Sequence, residues 1–301
     1  MQQKKKVLVL GGTRFFGKKL VERLIQEEAD VTVITRGSLP ESFGDAVKHL
    51  QADRTDSEAL RRVLGVASFD LVYDNICYSP QNAQEAVKLF DGRVGTYIVT
   101  SSVSVYPFGE PRKVEADFDP YSYLIPEVTP EAVDYAEGKR LVETVLLQQA
   151  SFPVVAVRFP IVLGHSDYTR RLHFHVEHVQ QGLPLGIPSP DVQISFIEAD
   201  EAADFLLWLG RSSLTGPVNA CSEGEISPRR IVSLIEQATG KKSILVKEAD
   251  AANQSPFGIP EPWYFDTTKA RSAGFNFQQL NEWLPQLIID IAGNQHVRES
   301  Q

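Results

Sequence analysis

Tyr135 and Lys139 stand four residues apart in Tyr-Ala-Glu-Gly-Lys, a spacing that places both side chains on one face of a helix. A phenol with a pKa near 10 is a poor base at neutral pH, and an adjacent ammonium stabilises its phenolate. Lowering that pKa by ~3 units takes about 4 kcal/mol of differential stabilisation, an amount a close cation in a dry pocket can supply. Such a pair moves a proton to or from a hydroxyl. Upstream, Ser102 lies in Thr100-Ser-Ser-Val-Ser-Val-Tyr106, at the end of a predicted parallel strand, the edge where ligands bind in open α/β sheets. Taken alone, Tyr-x-x-x-Lys reads better as a chance pair on a solvated helix face. The serine-rich strand end before it favours the chemical reading.

A second feature is Gly11-Gly-Thr-Arg-Phe-Phe-Gly17, directly after the apolar run Val7 to Leu10 and ahead of a stretch with Phe16, Leu20 and Leu24 on one helical stripe. In a strand, glycine turn, helix sequence, backbone N–H groups and the helix dipole can hold a pyrophosphate. The elements that must position these residues follow from periodicity. Short β-branched runs at Asp30 to Thr35, Val47 to Gln51, Asp70 to Asp74, Thr96 to Ser101 and Pro153 to Phe159 alternate with amphipathic segments, the pattern of a parallel sheet covered by helices. Thr129-Pro130-Glu131 is expected to start the long helix that ends near Gln149. After about Gly164 the alternation fades, and helices are predicted at Phe174 to Gln181, Ala199 to Leu209, Pro228 to Thr239 and Phe277 to Ile291. Pro107 to Pro130 and Ser255 to Tyr264, rich in proline and aromatics, are candidates for a lid and a pocket wall.

Composition narrows the classes. With 43% hydrophobic and 23% charged residues among 301, the chain is neither disordered nor collagen-like. A net charge of −9 gives no general attraction to polyphosphate, which counts against a primary nucleic-acid binder. Cys77 and Cys221 alone supply neither a disulfide framework nor a thiolate metal cage, a pattern expected of a cytoplasmic protein. No apolar run approaches the ~18 to 20 residues of a membrane span, and the run behind the three early lysines is too short for the core of a leader.

In order and context these motifs resemble the extended and atypical short-chain dehydrogenase/reductases, the NAD(P)-dependent epimerase/dehydratase family. The resemblance implies a Rossmann-type α/β fold, a doubly wound parallel sheet over residues 1–165 with a smaller C-terminal substrate lobe over 166–301, the chain partly returning to the first domain near 195–220. The family's Gly-x-x-Gly-x-x-Gly turn is matched at Gly11 and Gly17, with Arg14 in place of the middle glycine. Thr13, Phe15 and Phe16 complete the turn. The second strand ends Thr35-Arg36-Gly37 without the carboxylate that bonds a ribose 2′-OH, and Arg36 with Arg14 can clamp a 2′-phosphate, so NADP(H) is preferred over NAD(H). Asp53 matches the family's adenine contact, with Arg54 beside it. By the same resemblance Ser102 polarises the substrate, Tyr135 is the acid/base, and Lys139 tunes it and bonds the nicotinamide ribose. Phe159-Pro160 lies along the nicotinamide, Ile76 and Cys77 imply a changed ribose wall against which the cofactor packs, and Thr100 is a further cofactor contact. Phe196 to Asp200, Gly216 to Asn219 and Asp266 to Ala270 match later family elements.

Departures bear on substrate. Val103-Ser104 replaces the Asp-Glu pair of the 4,6-dehydratases, so dehydration is not expected. The late loop Ser255 to Tyr264 lacks the arginine that holds a nucleotide diphosphate, leaving Arg170 and Arg171, with Ser104 and Tyr106, as substrate candidates. The reading is hydride transfer at a secondary alcohol or ketone of a small molecule, such as a sugar or sugar nucleotide, with no membrane partner and a homodimer left open. Gly-Gly-Thr-Arg-Phe-x-Gly with Thr-Arg-Gly also resembles the chloroplast stem-loop-binding proteins of this superfamily. The alternative is thus an RNA-binding or nucleotide-sensing protein, disfavoured by Tyr135, Lys139 and the overall acidity. His173, His175 and His178 are expected to be polar helix residues rather than metal ligands.

Overall fold

The computed structural model describes residues 4–37, 40–126 and 133–298. Strand and helix alternate through the first half as β1 (Lys6–Leu10), α1 (Phe15–Gln26), β2 (Asp30–Thr35), β3 (Val47–Gln51), α2 (Ser57–Leu64), β4 (Phe69–Asp74), α3 (Pro80–Phe90), β5 (Val94–Ser102), α4 (Tyr135–Gln149) and β6 (Val154–Phe159). The chain continues as β7 (Ile161–Leu163), α5 (Arg171–Gln181), β8 (Pro184–Gly186), β9 (Phe196–Glu198), α6 (Ala199–Leu209), β10 (Gly216–Asn219), α7 (Pro228–Thr239), β11 (Ile244–Val246), α8 (Thr268–Ser272) and α9 (Leu280–Arg298).

Seven strands form one sheet in the order β10-β6-β5-β4-β1-β2-β3, every pairing parallel. This is the doubly wound α/β architecture expected from the sequence. Because both faces are covered, the strands are apolar at successive positions. Val7, Val9, Val155 and Val157 face α1 and α6, while Leu8, Leu10, Val72, Val99 and Ala156 face α2, α3 and α4. The strand order reverses direction between β1 and β4, which opens a crevice at the carboxyl ends of those strands. A separate apolar core joins α5, α7 and α9 through Leu172, Val176, Ile231, Ile235, Leu284 and Ile288.

Helix starts differ in a way that bears on the crevice. Asp56, Ser79, Asp134 and Ser227 cap α2, α3, α4 and α7, each accepting a hydrogen bond from a backbone N–H of the first turn. Helix α1 begins after Arg14 with no side-chain cap. The predicted start of α4 at Thr129 to Glu131 lies outside the described residues; the helix begins at Tyr135, where the Asp134 carboxylate satisfies the Glu137 N–H at 2.8 Å.

The carboxyl ends of β5 and β6 are locked to α4 by a buried ion pair. Arg158 Nη2 lies 2.6 Å from Glu143 Oε2, with both side chains fully buried. The remaining guanidinium donors reach the Tyr106 hydroxyl at 2.7 Å, the Glu115 carbonyl at 2.9 Å and the Phe118 carbonyl at 3.0 Å. Ser101 donates its hydroxyl to the other Glu143 oxygen. Burial alone disfavours the charged guanidinium, but the Glu143 carboxylate raises the Arg158 pKa further above its ordinary value. A buried pair satisfied in this way is costly to break from one side, because the partner charge is stranded. Glu143→Ala is expected to lower unfolding stability by about 3–5 kcal/mol in urea denaturation followed by circular dichroism; a loss below about 1 kcal/mol, the range of an exposed pair, would show that the pair does not anchor this strand end.

Candidate active site

The glycine turn meets the sheet edge by close backbone approach. Gly11 has φ +78°, and a Cβ there would lie 2.7 Å from the Ile76 side chain; a Cβ on Gly17 would lie 2.2 Å from the Gly11 carbonyl oxygen. Only glycine lets α1 come this near to β1. Asn75 holds the turn from the side: its N–H bonds the Leu10 carbonyl at 3.0 Å, its amide nitrogen reaches the Gly11 carbonyl at 3.4 Å, and its amide oxygen accepts from Thr100 Oγ1 at 2.8 Å. Thr13 is half-buried and Arg14 exposed. Phe15 adopts φ +51°, a conformation uncommon for a bulky residue. Its ring packs edge-on to Tyr168 at 6.3 Å, and Phe16 packs on Phe159 at 5.8 Å.

Beside the turn, a cleft of about 270 Å³ brings together Phe15, Phe16, Thr100, Ser102, Ser104, Tyr135, Lys139, Phe159, Pro160 and Arg171 from the predicted set. Asn75, Tyr78, Asp167, Tyr168, Thr169 and Trp263 line it as well and were not among the predicted residues. Trp263 falls in the loop expected to form a pocket wall. Tyr78 had a weaker signal, an aromatic residue just beyond a central strand.

Lys139 is the most constrained of these groups. Only 1% exposed, it donates to the Cys77 carbonyl at 2.9 Å and the Thr100 carbonyl at 2.8 Å, and its ammonium sits 4.5 Å from the Tyr78 ring centroid. Burial pulls its pKa down to about 8. The Tyr78 backbone reaches this close because α4 has Gly138 there; a Cβ would lie 2.7 Å from the Tyr78 carbonyl oxygen. Tyr135 stands at the mouth of the cleft, 56% exposed, its ring centroid 5.9 Å from the Lys139 ammonium. Its phenol lies above its ordinary pKa, raised by partial burial, with the Ser102 hydroxyl and the Arg171 charge pulling the other way. The expected lowering by Lys139 is therefore absent from the protein by itself, since that ammonium is directed into two carbonyls.

Four residues expected at the site are buried or already paired in the structure. Arg54, expected beside the adenine, is 5% exposed and pairs with Asp74 at 2.7 Å. Cys77 is fully buried, its sulfur 3.6 Å from Arg54 and its carbonyl taken by Lys139; burial pushes the thiol up to about 12. Tyr106 is 2% exposed and gives its hydroxyl hydrogen to Asn219 at 2.7 Å, so it belongs to the Arg158 network rather than to a substrate. Arg170 pairs with Glu177 and does not line the cleft. Arg36, by contrast, is 81% exposed at the end of β2, its Nη1 3.9 Å from Asp53 Oδ2. His175 is buried between the Arg171 carbonyl at 2.8 Å and the Ser255 hydroxyl at 2.6 Å, stacked 4.2 Å from Phe257. Burial draws its pKa down to about 4, so it stays neutral at physiological pH.

Known proteins align with this picture. The chloroplast stem-loop binding protein of 41 kDa b from Arabidopsis thaliana is 28% identical over 278 residues, covering 86% of this chain. The chain spans 65% of the length of that relative. A solved dTDP-glucose 4,6-dehydratase from Bacillus anthracis in complex with NAD superposes with a TM-score of 0.74 at 14% identity, over 96% of this chain and 97% of that one. UDP-glucose 4-epimerase from Thermotoga maritima with UDP-glucose gives 0.73 at 16% identity, over 97% and 99%. At such identities the likeness establishes the fold. Residues 7–95, which contain the glycine turn, match the model of the NAD dependent epimerase/dehydratase family, and it is this family that the chain resembles in motif order and in fold.

Proposed function

We propose that the protein is a nicotinamide-dependent oxidoreductase or epimerase acting at a secondary alcohol or ketone, with residues 1–165 holding the coenzyme and 166–301 shaping the substrate side. The observation that carries this reading is the meeting of Tyr135, Ser102 and Lys139 with the glycine turn's aromatic residues around one cleft. The residues present fit a dinucleotide. The uncapped α1 start and the Gly11–Gly17 approach leave backbone N–H groups open to a pyrophosphate, and Phe159 and Pro160 wall the inner end. When bound, the nicotinamide supplies the hydride acceptor or donor. Tyr135 holds or releases the proton at its phenol oxygen, and Ser102 orients the reacting oxygen. Lys139 fixes α4 against the strand ends and places a positive charge behind Tyr135. NADP(H) is the favoured coenzyme, because Arg14 and Arg36 are both exposed at the end where a 2′-phosphate would sit.

A second reading, RNA binding, is favoured by the stem-loop binding relative. Three outcomes separate these claims. Tyr135→Phe is expected to keep coenzyme affinity and lose turnover by about 10²–10⁴-fold, the usual contribution of a positioned acid/base; unchanged turnover would remove Tyr135 from the reaction. Calorimetric titration is expected to give tighter binding of NADPH than NADH, with Arg36→Ala erasing most of the difference. Equal affinities in the unmodified chain would reject the 2′-phosphate role. Stem-loop RNA binding measured at physiological salt should be weak; tight binding that persists under saturating coenzyme would establish the second reading instead.

A further inference from the structure

Arg171 is a cation in the cleft that the proposed chemistry leaves unused. It opens α5, is half-buried, and lines the cleft together with Tyr135. Its guanidinium makes no ion pair or side-chain hydrogen bond among the described residues. The nearby carboxylates are committed elsewhere: Asp167 accepts from Thr169 N at 2.9 Å, from the Thr169 hydroxyl, and from the Arg171 backbone N–H at 3.3 Å, while Glu177 pairs with Arg170. Half-buried arginine is ordinarily paired, since a partly desolvated charge without a partner is costly. Two other residues that line the cleft carry buried polar atoms without a partner. Ser104 is 7% exposed, and its Oγ is buried with no hydrogen-bond partner, as is Trp263 Nε1. Such groups are satisfied by water or ligand.

We infer that the cleft selects a hydroxylated substrate carrying an anionic group, carboxylate or phosphate, next to the carbon that reacts, with the anion seated on Arg171 and neighbouring hydroxyls on Ser104 and Trp263. The placement distinguishes this from a nucleotide diphosphate held away from the chemistry. Arg171 shares the cleft with Tyr135 and is near enough for its charge to act on that phenol. An anion seated there lies beside the oxygen whose proton Tyr135 handles. The guanidinium fork matches either oxyanion in two parallel hydrogen bonds. The position of the anion next to the reacting carbon rests on the reading of Tyr135 as the acid/base; the anion preference itself is independent of turnover.

The test measures affinity without turnover, by quenching of tryptophan fluorescence, for glucose, glucuronate, glucose 6-phosphate, UDP-glucose and UDP-glucuronate. Glucuronate or glucose 6-phosphate is expected to bind at least about tenfold tighter than glucose, and UDP-glucuronate tighter than UDP-glucose if the carboxylate is the preferred anion, a factor of one charge-assisted hydrogen bond. Preference for glucuronate alone assigns a carboxylate, and preference for glucose 6-phosphate alone assigns a phosphate. Arg171→Met should abolish the preference and Arg171→Lys should keep part of it, each with an unchanged melting temperature to show that the fold survives. Absence of binding by every anionic member, a preference that survives Arg171→Met, or an equal loss of UDP-glucose and UDP-glucuronate affinity in that variant would overturn the inference. Failure of the oxidoreductase reading shows instead as no coenzyme-dependent turnover by the unmodified chain, and so is told apart.

Discussion

One helix, α4, aligns the site by three side chains spaced four residues apart. Tyr135, Lys139 and Glu143 lie along a single stripe, and each meets the carboxyl edge of the sheet at a different depth. Glu143 is buried against Arg158 and Ser101. Lys139 bridges the carbonyls that follow β4 and lie within β5. Tyr135 stands in the cleft at the helix start. The two inner residues are buried charges, each expensive to place in a low-dielectric interior unless fully bonded. Satisfying them restricts the rotation and register of α4, and the outer residue is positioned as a consequence.

The same constraint sets the electrostatics of the cleft. Bonded into two carbonyls and covered by Tyr78, Lys139 contributes position more than an available donor. The phenol of Tyr135 is held above its ordinary pKa by its partly dry surroundings. Arg171 lines the same cleft and makes no ion pair among the described residues. The site thus holds one cation bonded into backbone carbonyls and, among the described residues, one without an ion pair, both lining the cleft with Tyr135.

The fold was legible because its signals are local. A β-branched run, a glycine turn and an amphipathic helix are each read from a few adjacent residues, and Val47 to Gln51 appeared as a strand on that basis alone. Tyr135 and Lys139 were legible for the same reason, since a spacing of four is a helix face. The residues that are buried or already paired have partners far along the chain. Arg54 is neutralised by Asp74, Tyr106 by Asn219 and Arg158, and Cys77 is turned into the core beside Arg54. No window of sequence announces those pairings. The three-residue strands β7, β8, β9 and β11 were missed because such lengths carry no periodicity. Tyr78 and Trp263 reach the cleft through packing, Tyr78 because Gly138 admits its backbone against α4.

The central claim is that the crevice at the glycine turn takes a nicotinamide dinucleotide and thereby completes the site that α4 aligns. Native mass spectrometry of the intact chain mixed with NADPH or NADH reads this directly. The account predicts an adduct of one dinucleotide per chain that is lost when Gly17 is replaced by valine in a variant that remains folded. A chain that carries no nicotinamide dinucleotide at concentrations well above the millimolar range would contradict it.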